Sequence, residues 1–388
     1  MTAAMKTGMS TMTTIMATGD LVLEREDATS LLAAVAPVLA EADVVIGQLE
    51  VPHTEATATM SSDVPALPAP PSALDAVAGA GFDVLTLAGN HVYDFGGEGI
   101  EDTRRHCRDR GMVTTGAGGD LEEAWQPAVV GHQDRRIAVL SVNCVGPRES
   151  WAGSGKAGCA WIEVVTHYEP RGANPGGPPR TYTFAEPGSL AVFSDRVAGQ
   201  VAAGTDVVVA LHQGLVHQPV DIAQYQYEIA HAAIDAGAVA VIAHHAHILK
   251  GIEAYRGRPI FHGLGNLATV THALGGQPGD SPERRAWARE RIRLFGFEPD
   301  PAMPEYPFHP ESRNTAIAVI TLGAEGAVGA EVIPCWIDDD ARPVPVPRAG
   351  GGEAVGRYLQ EITREAGLDT VLAWSGDRLT IQLEDHPR

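Results

Sequence analysis

Val239-Ala240-Val241-Ile242-Ala243-His244-His245-Ala246-His247 is an apolar run that leads almost directly into histidines. A short stretch of this kind, rich in β-branched residues, reads as a strand buried on both faces, as a parallel sheet requires. Polar groups at the carboxyl end of such a strand stand where open α/β sheets bind their ligands. The same arrangement recurs outward along the chain. Thr13 to Thr18 leads to Asp20, Val44 to Ile46 to Glu50, Val84 to Leu87 to Asn90 and His91, and Asp206 to Leu211 to His212.

Helical patterns separate these runs: Ala28 to Ala40 behind Asp27 as N-cap, 73–80, 98–110, Ala223 to Ala236 and a terminal Ala354 to Ala366. Strands alternating with helices argue for βαβ units and an α/β fold. Further strands are expected near Val113 and at Ile137 to Val142, with closing strands at Thr315 to Leu322 and Gly329 to Trp336. Ile248 to Glu253 and Pro259 to Gly263 read as a hairpin turned at Arg256-Gly257. Two segments break the alternation, a Gly/Pro-rich one at 145–195 and a Pro/Arg/Glu-rich one at 268–312. Both are long for loops of a compact domain and read as lids or substrate loops. The expected organisation is one domain over 12–345 carrying these two inserted loops, with 346–388 as a helix and strand extension packed on it.

Two acids, an amide and several imidazoles gathered at strand ends point to a divalent metal centre. Carboxylate oxygen and neutral imidazole nitrogen suit zinc, manganese, iron, nickel or cobalt, and two ions need an acid to bridge them. Asp94, three residues after His91, is placed to orient that imidazole. His244 reads as a support for its neighbours or as a ligand. His309, beside Tyr306 and Phe308, reads as a mobile acid/base group or as a surface histidine. Arg313 reads as a bidentate clamp on a substrate carboxylate or as half of a structural ion pair.

Composition narrows the classes. Hydrophobic residues make up 44 % and charged residues 20 % of 388, which excludes a disordered or collagen-like chain. The formal charge of −21 repels polyanions over the surface unless a local basic patch or a metal intervenes, so nucleic acid bound non-specifically is not an expected partner. Cys107, Cys144, Cys159 and Cys335 are widely spaced, as free core thiols in a reducing compartment would be. Met1 to Met16 carries no apolar signal region and no run is long enough to span a bilayer, so a cytoplasmic protein without a membrane partner is expected. Methionines at 1, 5, 9, 12 and 16 leave the start codon open.

The motifs Thr18-Gly19-Asp20, Gln48-Leu49-Glu50-Val51-Pro52, Ala88-Gly89-Asn90-His91-Val92-Tyr93-Asp94, His212-Gln213-Gly214, Ala243-His244-His245-Ala246-His247 and Gly263-Leu264-Gly265-Asn266 resemble, in order and spacing, those of the CapA family of poly-γ-glutamate capsule biosynthesis. That family is similar to the calcineurin-like metallophosphoesterases. The resemblance implies a four-layer αββα sandwich of metallophosphoesterase type. It further implies that Glu50 bridges two ions, with Asp20 and His247 completing one and Asn90, His212 and His245 the other. His91 would be the imidazole that either supports a metal ligand or acts as acid/base. Val22 stands where the phosphoesterase pattern places a histidine, and Gln48, Gln213 and Ala243 replace the usual Asn, Trp and Gly.

Such a metal pair either activates water for hydrolysis or holds the charge that develops when an α-proton is removed beside a carbonyl. A cytosolic branch of the family contains lasso-peptide epimerases. The leading expectation is therefore a metal-dependent epimerase of a ribosomal precursor peptide. The alternatives are a phosphoesterase or amide hydrolase, or a component of poly-γ-glutamate capsule biosynthesis. The expected substrate is a peptide or poly-glutamyl chain.

Overall fold

The structure is a computed structural model that describes residues 12–60, 68–169, 178–272, 274, 281–323, 326 and 328–384. The methionine-rich start before Met12 and parts of both long segments therefore lie outside the described residues. Two sheets face one another. The first has strand order Leu372–Ser375, Arg378–Ile381, Val328–Ile337, Asn314–Leu322, Thr13–Leu23, Val44–Leu49, Val84–Thr86 and Val113–Thr115. Asn266–Val270 pairs in parallel with the distal half of Thr13–Leu23. The second runs Ile252–Tyr255, Arg258–Phe261, Ala240–His245, Asp206–Gln213, Arg135–Asn143 and Ala128–His132.

Period-two alternation explains why these strands are apolar throughout. Ile15, Ala17, Val44 and Ile46 meet Val208, Ala210 and Ile242 between the sheets. Their neighbours Met16, Val45 and Leu49 face Leu31, Leu74, Val77 and Ile100 of the outer helices. On the far side, Val207, Val209 and Leu211 pack on Phe193, Val197 and Ile229. Three apolar clusters between four layers make the α/β/β/α sandwich that the motifs implied.

Several boundaries differ from the expected ones. Ala28 to Ala40 is two short helices, Ala28–Leu32 and Ala36–Leu39, because Pro37 lacks the N–H that a continuous helix needs at that point. The hairpin turns at Arg256-Gly257 as expected, but its first strand begins only at Ile252. The segment 145–195 holds the hairpin Val164–Glu169/Arg180–Ala185 and the start of the helix Pro187–Ala202, so it is not all loop. The segment 268–312 holds the helix Pro282–Phe295. Its Arg-rich face hides an apolar period, yet its ends carry readable signals. The Ser281 side chain accepts from Arg284 N–H, Pro282 occupies the first turn, and Gly296 closes the helix at φ 75°. Residues 352–381 supply a helix whose Val355, Leu359 and Ile362 enter the core between the sheets, and a hairpin that extends the first sheet.

Candidate metal centre

Parallel pairing brings the carboxyl ends of both sheets to one edge. Asp20 does not follow its strand. It lies within Thr13–Leu23, where the register shifts, and its N–H donates to Gly265 O at 2.9 Å. The chains pass so closely there that a Cβ on Gly19 would lie 2.2 Å from Gly265 O, so only glycine fits. His212 and His245 likewise belong to their strands, and Glu50 immediately follows Val44–Leu49.

The side chains converge. His212 Nε2 lies 2.8 Å from Asn90 Oδ1 and 3.5 Å from Glu50 Oε1. His245 completes a group with Glu50 and His212 whose ligand atoms all lie within 4.8 Å of one another. His247 Nδ1 is 3.4 Å from Asp20 Oδ2, and its Nε2 is 3.9 Å from Glu50 Oε1. Backbone geometry carries a cost here, since His245 and His247 adopt φ values of 87° and 53°, a region that L-residues avoid unless the surroundings enforce it.

The donor set has the chemistry of a divalent-metal site. Asp20 Oδ1 and both Glu50 oxygens are buried with no hydrogen-bond partner. Burial pushes the Asp20 carboxyl up to about 8 and holds Glu50 well above the usual carboxylate range, with the charges of Asp20 and Asp94 adding to the latter. Burial also drives His245 down to about 3, His247 to about 4, and His212 well below the ordinary imidazole value. Neutral imidazoles around buried acids without counter-charge match the needs of a divalent cation, which would favour the ionised carboxylates. Val22, where a further ligand was missing, packs with Val51 and Ala69 in a small apolar cluster.

Residues around this core sort by their bonds. His91 Nδ1–H donates to Asp94 Oδ2 at 2.7 Å, leaving Nε2 free. His244 bonds Thr18 O across the sheets at 2.9 Å and so ties the layers together. His309 accepts from Glu311 N–H through Nδ1 and stacks 6.3 Å from the ring of His217. Arg313 is held by Ile337 O and by Asp339 Oδ1, at 2.8 and 2.7 Å, and lies over Trp336. Those partners make it an ion-pair residue on the wall of a groove of about 510 Å³ beside His309.

Sequence reasoning missed three residues. Asn266 Oδ1 accepts from His247 Nδ1–H at 2.8 Å, while its Nδ2 donates to Tyr306 Oη at 3.0 Å and Tyr306 donates to Ser312 O. This chain leaves His247 Nε2 facing Glu50, and the Gly263–Asn266 motif was its only signal. His217 is buried 6.3 Å from the His247 ring, at φ 60°. Arg291 comes from the helix within the second long segment.

The chain matches the family described as Bacterial capsule synthesis protein PGA_cap over residues 14–270. A probable polyglutamine synthesis accessory protein of Mycobacterium tuberculosis is 32 % identical over 210 residues, 52 % of this chain and 49 % of that protein. The capsule biosynthesis protein CapA of Bacillus anthracis is 26 % identical over 318 residues, 79 % of this chain and 60 % of its own length. The chain thus spans about half the length of the first of these relatives. A putative 5'-nucleotidase of Staphylococcus aureus, solved with alpha-ketoglutarate, aligns at 10 % identity over 92 % of this chain and 58 % of its own, with a TM-score of 0.44. The family match and the two sequence relatives fit the capsule alternative better than the lasso-peptide epimerase reading. Among the described residues no helix is long and apolar enough to cross a membrane.

Proposed function

The chain belongs to the bacterial capsule synthesis protein PGA_cap family, and from that membership we propose that it is a divalent-metal-dependent hydrolase acting on a poly-glutamyl chain during capsule-type polymer synthesis. The observation that carries this reading is the buried cluster of Asp20, Glu50, Asn90, His212, His245 and His247, in which Asp20 Oδ1 and both Glu50 oxygens lack a hydrogen-bond partner. The name of the mycobacterial relative gives polyglutamine synthesis and that of the bacillar relative capsule biosynthesis, and both support a polymer of this class. Two ions are the proposed complement, with Glu50 between the Asp20–His247 pair and the Asn90–His212–His245 group.

A divalent ion held by these residues supplies Lewis-acid polarisation and lowers the pKa of water. His91 supplies the proton relay. With Nδ1–H held by Asp94, its Nε2 is the atom that takes a proton from the attacking water or returns one to the leaving amine. The Asn266–Tyr306 chain keeps His247 turned toward Glu50.

A second reading, proton exchange at an α-carbon, draws on the imidazoles beyond the cluster: His91 with Asp94, and His309 stacked on His217. One experiment separates them. Metal-loaded protein is incubated with poly-γ-glutamate oligomers in heavy water, beside the Glu50→Gln variant. Chain shortening that needs both metal and Glu50 is expected. Intact chains that gain one unit of mass would shift the assignment to α-proton exchange, and undiminished cleavage in chelator would refute the metal-dependent reading.

A further inference from the structure

Arg291 stands apart from the other cations of the second long segment. It projects from the helix Pro282–Phe295, is only 6 % exposed, and has no hydrogen bond or ion pair among the described residues. Its guanidinium carbon instead lies 5.9 Å from the ring centre of Phe295 and 5.6 Å from that of Phe297. These two rings meet the His217 ring edge-on at 5.2 and 4.9 Å, and His217 lies 6.3 Å from His247. Arg291 therefore belongs to the aromatic wall next to the Asp20–His247 half of the cluster. Cation–π contact alone does not offset the burial of a full charge, because the guanidinium keeps five N–H donors that the rings cannot satisfy. Burial lowers its pKa to about 10, and no carboxylate opposes that shift.

We propose that Arg291 is the anion-binding residue of this site and that its ligand is a carboxylate carried on an apolar stem. A planar fork with one positive charge matches a singly charged, planar carboxylate, and the phenylalanine rings beside it match the stem. A phosphate dianion would leave one charge unopposed beside the Phe295 and Phe297 rings. The assignment deepens the proposed function by naming the group of the substrate that is held beside the cluster. Arg313, tied to Asp339 and Ile337, is not that residue.

The test uses binding in chelator-treated full-length protein, so that neither turnover nor bound metal enters. Hexanoate, hexanamide and hexyl phosphate are titrated by ligand-observed NMR against wild type, Arg291→Met, Arg291→Lys and Arg313→Ala, with melting curves checking the fold. Hexanoate is expected to bind wild type and Arg313→Ala equally, and at least tenfold more weakly to Arg291→Met. Arg291→Lys, which keeps the charge without the fork, should fall between them. Hexanamide should not bind. Equal hexanoate binding by wild type and both Arg291 variants would overturn the proposal, as would tighter binding of hexyl phosphate than of hexanoate. Loss of hydrolysis with intact hexanoate binding would count against the proposed function and leave Arg291's role standing.

Discussion

Replacing Asp20 by Asn tests the claim that the cluster is built for a cation. In the metal-free protein the buried Asp20 carboxyl has its pKa raised from 3.8 to about 8, so the folded state holds its proton at pH 7 while the unfolded chain releases it. Each pKa unit corresponds to about 1.4 kcal/mol, and the interval between 3.8 and pH 7 therefore costs the folded state about 4 kcal/mol. The sign follows from the direction of the shift. A raised acid destabilises progressively as pH climbs from the unfolded value toward the folded one, so at pH 5 only about 2 kcal/mol of the cost remains. Asn carries no such cost and still offers an oxygen to the His245 N–H that bonds Asp20 at 3.3 Å. Metal-free Asp20→Asn should therefore exceed wild type in stability by up to about 4 kcal/mol at pH 7, and the gap should narrow to about 2 kcal/mol at pH 5. Urea unfolding in chelator at both pH values measures this. With divalent metal at about a hundred times its Kd, wild type should recover about 2.7 kcal/mol, and the variant less. A variant less stable than wild type at pH 7, or a gap unchanged at pH 5, would refute the account of Asp20 as an uncompensated buried acid.

Three other outcomes are expected. Graded chelation followed by elemental analysis should remove metal from the Asp20–His247 side first, because Val22 adds only apolar contact there; loss of all metal in a single step would contradict this. His91→Asn should lower turnover by about 10²–10⁴ with metal content unchanged, and Asp94→Asn should lower it less, since Asp94 acts on proton transfer through the 2.7 Å bond to His91; parallel loss of metal in the His91 variant would make that imidazole a ligand. Arg313→Ala should cost about 1 kcal/mol or less in urea unfolding, because its partner Asp339 is 91 % exposed and exposed pairs contribute little.

The layered fold was readable in the sequence because each central strand is buried on both faces and therefore shows as a continuous apolar run. The convergence of Asp20, Glu50, Asn90, His212, His245 and His247 was readable because parallel strands deliver their carboxyl ends to one edge. The Pro282–Phe295 helix was harder to see, since it buries little besides Arg291 and leaves no apolar stripe. Arg313 and Arg291 show the limit most clearly. Both arginines lie on or beside the second long segment, and nothing in local sequence separates them. Tertiary structure gives Asp339 and Ile337 O to Arg313 and only aromatic faces to Arg291. Likewise, Asn266 acquires its role only when the Thr13–Leu23 and Asn266–Val270 strands lie side by side. Strand ends and burial follow from the local pattern of apolar residues, but whether a buried charge finds a partner depends on residues distant in sequence, which meet only when the layers close.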